Sequence, residues 1–245
     1  MSIVALALLP ATAVNAHPKP QANTQKVDPA TQAPTVEQII DKYVQAIGGK
    51  TAVEKINSRI LKGSLITSGG SAPIGVFEKA PNKFLVIIDS PASGLSQNGY
   101  NGSVAWSKNP QRGLREISGP ELENFKREYD LRREIKLKEF YPKMTLKGKQ
   151  QVGDRVAYAV ETSSGDGIPE TMYFDAVSGL LIRRDTSIQG TTLQAYFEDY
   201  KDVGGVKLPL TIRRSRPDFS FTYKFSEISH NVTIDDAKFD KPTGQ

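Results

Sequence analysis

Apolar residues first recur at helical spacing. Val36, Ile39, Ile40, Tyr43, Val44 and Ile47 follow Thr35, a residue type that caps helix N-termini, and the pattern stops at Gly48 and Gly49. An amphipathic helix is predicted there, and a shorter one follows with Val53 and Ile56 on its apolar side. From Ser58 the period changes to two. "RILKGSLIT", "APIGVFEKA" and "KFLVIID" are separated by "SGG" and "PN", which reads as three antiparallel strands joined by turns. Within the third, Phe84, Leu85, Val86, Ile87 and Ile88 are apolar without a break, whereas a strand with one wet face alternates. Both faces of that strand therefore call for cover, by a sheet, a helix or a ligand.

Asn101-Gly102 is a strong hairpin signal and is followed by the single tryptophan, Trp106. The strand pattern is then interrupted once. Ser118 with Glu121 three residues on resembles a capping box, and Leu122, Phe125 and Tyr129 share one side of a charged helix over residues 118–138. Seven more period-two segments follow, from "TLKGKQQV" to "FSFTYKFSEI", joined by short turns such as "AVSG" and "VGG". The total is about eleven up-and-down strands, a mainly β chain with helices. In the last strand Phe219, Phe221, Tyr223 and Phe225 point one way and form an aromatic stripe.

The N-terminus is of another kind. An apolar run from Ile3 to Leu9, Pro10, and small residues at Val14 and Ala16 read as a secretory signal peptide (1–16) cleaved after Ala16. Residues 17–34, with one bulky apolar side chain, read as a disordered linker, leaving 35–245 as a single domain. A periplasmic location is expected. Beyond the signal no stretch of eighteen apolar residues occurs, so no spanning helix is predicted.

Composition narrows the chemistry. The chain has no cysteine, which excludes disulfides, thiolate metal sites, a cysteine nucleophile and a lipid-modified N-terminal cysteine. Of two histidines, His17 lies in the linker and His230 at a strand end. No zinc-protease, nucleophile-elbow, P-loop or dinucleotide motif is present, and no two carboxylates are fixed at a defined separation. No catalytic residue, metal or cofactor is predicted. Residues 108–155 hold 13 Lys and Arg against 8 Asp and Glu and so account for the net charge of +5. Those charges interleave with Glu, the mark of a solvated helix rather than a nucleic-acid surface, and leave room for an anionic membrane or an acidic partner.

"FEKAPNKFLVII" followed by "GYNGSVAWSKNPQRG" resembles bacterial outer-membrane lipoprotein carriers of the LolA/LolB-like lipoprotein-sorting superfamily. In these a strand ends in Lys-Arg-Pro-Asn, and a Gly-Lys-Thr-Leu-Trp hairpin precedes an Asn-Pro turn. "VTIDDAKFDKPTG" is similar to that family's closing segment, and "VEQIIDKYVQAIGGKTAVEKINSRILKGSL" to openings of related exported proteins. The resemblance implies an unclosed antiparallel half-barrel whose concave face is plugged by helices and binds acyl chains. Where the carriers have an Arg that helps hold the lid, this chain has Ala80, which implies a looser lid and a storage, sensing or general lipid-binding role.

The expectation is an exported, non-enzymatic, monomeric binder of lipid or lipoprotein acyl chains. Its apolar cavity residues are expected to be Phe77, Phe84, Val86, Ile88, Trp106, Tyr196, Phe221, Tyr223 and Phe225. Each could equally be ordinary core. The alternative is an envelope protein-interaction or sensor module that uses Arg132 and Arg133 of the charged helix to contact a protein partner.

Overall fold

A computed structural model describes residues 33–163, 168–188 and 190–243. The expected signal peptide and nearly all of the expected linker lie outside the described residues. Helix α1 (Val36–Ala46) begins with a complete capping box: the Thr35 hydroxyl accepts from Gln38 N–H while the Gln38 side chain accepts from Thr35 N–H. A short helix α2 (Lys50–Glu54) follows.

Six strands come next: β1 (Ser58–Thr67), β2 (Gly70–Lys79), β3 (Lys83–Ser90), β4 (Gly94–Tyr100), β5 (Ala105–Asn109) and β6 (Gly113–Ile117). Helix α3 (Gly119–Glu128), a 3-10 turn (Arg133–Ile135) and α4 (Leu137–Phe140) lead to seven more. These are β7 (Lys143–Val152), β8 (Arg155–Ser163), β9 (Pro169–Asp175), β10 (Leu181–Ile188), β11 (Thr191–Val203), β12 (Val206–Arg216) and β13 (Phe219–His230), before a last 3-10 turn at Asp236–Phe239. Thirteen strands thus replace the expected eleven or so. The additional ones are short or polar, "GLSQNGY" in β4 and "GLREI" in β6, and present no alternation of hydrophobic residues to read.

All thirteen form one antiparallel sheet in the order β6-β5-β4-β3-β2-β1-β13-β12-β11-β10-β9-β8-β7. Each strand pairs with its neighbour in sequence except at the centre, where β1 pairs with β13. The edges are β6 and β7, which do not pair, so the sheet is unclosed. Lys143, Lys147 and Lys149 on β7 blunt one of those edges against further strand addition.

The connection from β6 to β7 must therefore travel from one edge of the sheet to the other. It does so as a strap of α3, the 3-10 turn and α4, which lays Leu122, Phe125 and Tyr129 against β3. The expected single helix over 118–138 is broken into these pieces. Ser118 makes no side-chain cap, because Glu121 is taken by Arg115 in a two-point ion pair.

Both faces of β3 are covered. Phe84, Val86 and Ile88 pack with Ile74, Tyr100 and Phe125 beneath the strap. Leu85 and Ile87 turn to the opposite face and pack with Trp106, Phe77, Ile234 and Phe239. There the C-terminal segment lies across the sheet. Trp106 Nε1 donates to the Phe239 carbonyl at 3.2 Å, and Lys79 Nζ donates to the Ile234 carbonyl at 2.8 Å. Gly99, paired with Trp106 across β4 and β5, lies against the indole so closely that an added Cβ would sit 2.5 Å from it.

Candidate ligand-binding cavity

The concave face carries two apolar regions. Helices α1 and α2 pack Ile39, Ile40, Tyr43, Ile47 and Val53 against the β8–β12 side, where Val160, Met172, Phe174, Leu181 and Leu208 meet them. The strap covers the β1–β4 and β12–β13 side. Beneath and between them lies an interior cavity of about 240 Å³, walled by Leu61, Ile74, Val76, Val86 and Ile88 on one side and Phe197, Ile212, Tyr223 and Phe225 on the other. A second, outer cavity of about 650 Å³ opens beside α3, lined by Phe84, Tyr100, Phe125 and Phe140. Tyr129 and Asp130 line both cavities. Tyr129 stacks on Phe84 with ring centroids 3.7 Å apart and meets Phe125 edge-on at 4.8 Å, so it forms part of the wall between them.

Charges hold the strap down. Glu128, at the end of α3, takes a bidentate pair from Arg184 of β10 at 2.8 and 2.7 Å, with Arg133 at 3.5 Å. Arg133 donates to the Tyr141 hydroxyl at 2.9 Å, which in turn donates to Glu170 of β9 at 3.0 Å. Arg132 reaches the carbonyls of Glu54 and Ile56 and the Asn57 side chain, tying the strap to the end of α2. Lys138 pairs with Asp41 of α1 at 2.8 Å. Burial pushes the Glu128 carboxyl up, but Arg184 and Arg133 outweigh it and hold the group well below the usual carboxylate range. A second buried pair, Arg59 with Glu78, lines the cavity where β1 meets β2. Nearby, burial raises the Glu134 carboxyl despite the opposing pull of Arg59.

Sequence-predicted residues divide between the two faces. Phe84, Val86, Ile88, Tyr223 and Phe225 share the concave apolar cluster, and Phe221 meets Tyr223 edge-on. Phe77 and Trp106 lie on the opposite face, against the C-terminal segment, and cannot line the same cavity. Tyr196 also sits away from it, in a small cluster with Tyr173 and Ile182. The aromatic stripe of β13 forms a ladder with centroid spacings of 5.5, 5.1 and 6.4 Å, leading from Phe219, 39% exposed, to the buried Phe225. Arg132 and Arg133, expected to face a partner, are engaged within the molecule. The loose lid inferred from Ala80 is replaced by a lid fastened elsewhere, through Glu128 and Arg184.

The inward charges Arg59, Glu78, Glu128, Glu170 and Arg184 were missed in the sequence. A signal existed for one strand: Ile74, Val76 and Glu78 alternate on one face of β2, which placed a carboxylate among apolar neighbours. Among the described residues no cluster of His, Cys, Asp and Glu could hold a metal ion.

The unclosed antiparallel sheet crossed by a helical strap is a fold known from solved structures. Three solved structures share it with this chain. A lipoprotein-sorting protein domain from Vibrio parahaemolyticus superposes with a TM-score of 0.59 at 15% identity, over 84% of this chain and 98% of its own. A DUF1329 family protein from Desulfovibrio piger gives 0.58 at 17% identity, over 84% and 97%. A LolA superfamily protein from Nitrosomonas europaea gives 0.57 at 12%, over 85% and 99%. No protein-family model and no curated protein matches the sequence.

Proposed function

We propose that this protein is an exported, non-enzymatic carrier of lipid or lipoprotein acyl chains that works in the bacterial envelope. The observation that carries this reading is the cavity between the apolar concave face and a strap that is held over it by buried apolar side chains and by ion pairs. A pocket with such walls holds acyl chains by burial alone, at roughly 0.8 kcal/mol for each methylene removed from water.

The interior cavity of about 240 Å³ is small for a long chain. A longer chain has to displace Tyr129 and join the interior to the outer cavity. That displacement slides α3 while the ion pairs re-form, a motion available to a lid seated by charge–charge contacts. No reacting group is required, and the buried carboxylates serve to seat the lid.

The test is detergent-free purification of residues 17–245 from a bacterial periplasm, followed by solvent extraction and lipid mass spectrometry. Phe221→Asp, on the aromatic ladder, and Ile88→Trp, which fills the cavity, are purified in parallel. Stoichiometric acyl species in the wild type and their loss from both folded variants support the carrier reading. An empty wild type that also refuses a fluorescent fatty-acid probe overturns it.

A further inference from the structure

A cationic side chain whose nearest recorded contact is an aromatic face, the Tyr223 ring at 5.9 Å, stands on the wall of the cavity. Arg214 of β12 follows Ile212 on the concave face and lines the interior cavity with it. Among the described residues Arg214 makes no hydrogen bond and no ion pair, and its Nε is buried without a partner. The other three arginines that line the cavity are all engaged: Arg59 with Glu78, Arg184 with Glu128, and Arg133 with the Tyr141 hydroxyl. Glu128 pairs directly with Arg184 and Arg133, and Arg214 acts on it only through the electrostatic field, beyond ion-pair distance.

The surroundings leave room for a guest. Along the sheet Arg184, Ala195 and Arg214 occupy one row of paired residues, so the side chain between the two guanidinium-bearing positions is a single methyl group. On the other side Arg214 is paired with Phe221 of the aromatic ladder. One step towards the rim, Arg216 pairs with Phe219, stacks over its ring at 4.3 Å and is bridged to Asp218 at 2.7 Å. One step inward, Ile212 pairs with Tyr223. A ligand entering along the ladder meets Arg214, a half-buried cation with no ion-pair partner among the described residues, at the boundary between the rim and the apolar interior. An incoming carboxylate or phosphate would give that guanidinium the direct charge-assisted partner it lacks.

We propose that Arg214 anchors the anionic end of an amphiphilic ligand, with the apolar tail running along Phe225, Val86 and Ile88. This rests on the lipid-carrier reading above and specifies its ligand class: an acyl chain ending in a carboxylate or a phosphate ester. Both groups suit the planar fork of a guanidinium, which binds them through two parallel hydrogen bonds.

The experiment compares hexadecanoic acid, hexadecanol and inorganic phosphate as competitors of a neutral fluorescent apolar probe, at pH 8, on the chain from residue 17 to 245. Wild type, Arg214→Gln and Arg214→Lys are measured side by side. The wild type is expected to bind the acid about tenfold or more tightly than the alcohol, a ratio set by one charge-assisted contact. Arg214→Gln is expected to abolish that preference while binding the alcohol as before, and Arg214→Lys to restore part of it. Equal binding of acid and alcohol by wild type, unaffected by the substitutions, removes the anion anchor and leaves the lipid carrier standing. Equal loss of both ligands in Arg214→Gln assigns the residue a structural role and also overturns the anchor. Phosphate that displaces the probe as strongly as the acid, and through Arg214, makes the site one for small anions. Failure of wild type to bind either acid or alcohol removes the carrier reading and the anchor together.

Discussion

The two faces of β3 are closed by different means. On the convex face the C-terminal segment seals Leu85 and Ile87 with Trp106, 1% exposed, and Phe239, fully buried, and leaves the strand a packed core. On the concave face the strap covers Phe84 and Val86 but leaves a cavity, and beside its buried Leu131 and Leu137 it is fixed by charged groups. Apolar close packing has no low-cost alternative arrangement, since any displacement opens a void. An ion pair has such alternatives, because either partner can be satisfied by water or by another charge. A sheet can thus be finished permanently on one side and provisionally on the other.

The largest effect is expected on the permanent side. Trp106→Ala should cost about 4 kcal/mol of stability, because it deletes a fully buried indole and its hydrogen bond to Phe239. Chemical denaturation measures this, and a loss below about 1 kcal/mol would erase the contrast between the faces. Next comes Arg184→Met, at about 3 kcal/mol, because it strands the Glu128 carboxylate under the strap. Combining it with Glu128→Gln should return much of that loss, and hydrogen exchange of residues 119–141 should rise in the single variant more than in the double.

A smaller effect tests the convex packing from the opposite direction. Gly99→Ala places a methyl group against the Trp106 indole and should cost about 1–3 kcal/mol, read from the same denaturation midpoints. The smallest concerns acidity. The Glu128 carboxyl is depressed in the folded state, so its contribution is complete above the ordinary glutamate range and is lost as pH falls through its lower folded value. Wild type should therefore lose stability more steeply than Glu128→Gln on acidification, and parallel curves would show that the pair contributes nothing.

Much of this arrangement is legible in the sequence where hydrophobic periodicity is the cause. The α1 capping box, the hairpin at Asn101-Gly102 and the two-sided burial of Phe84–Ile88 all follow from local pattern. The thirteen-strand count was not legible, because β4 and β6 are short or polar and each offers too few apolar residues to show alternation, although Tyr100 and Ile117 are buried. Alternation groups residues of one strand by face, but it does not say which face of one strand matches which face of another. Hence Phe77 and Trp106 were grouped with Phe84, although cross-strand register sends them to the other side. The strap's charges were read as solvated because their partners, Arg184, Glu170 and the carbonyls of Glu54 and Ile56, lie tens of residues away. Arg214 stands in "IRRSR", where nothing local marks it, and its place beside Phe221 follows from the pairing of β12 with β13.

The pairing of β1 with β13 at the middle of the sheet has a consequence in time. Residues 59–67 find their partners at 221–230, so the central ladder forms only after more than 150 further residues have followed β1. Contacts of such long sequence separation fold slowly, since a large loop must close before any of them is rewarded. Until then the amino-terminal meander exposes an unpaired β1 edge. Exposure to aggregation through that open edge is therefore concentrated in the interval between the synthesis of β1 and of β13.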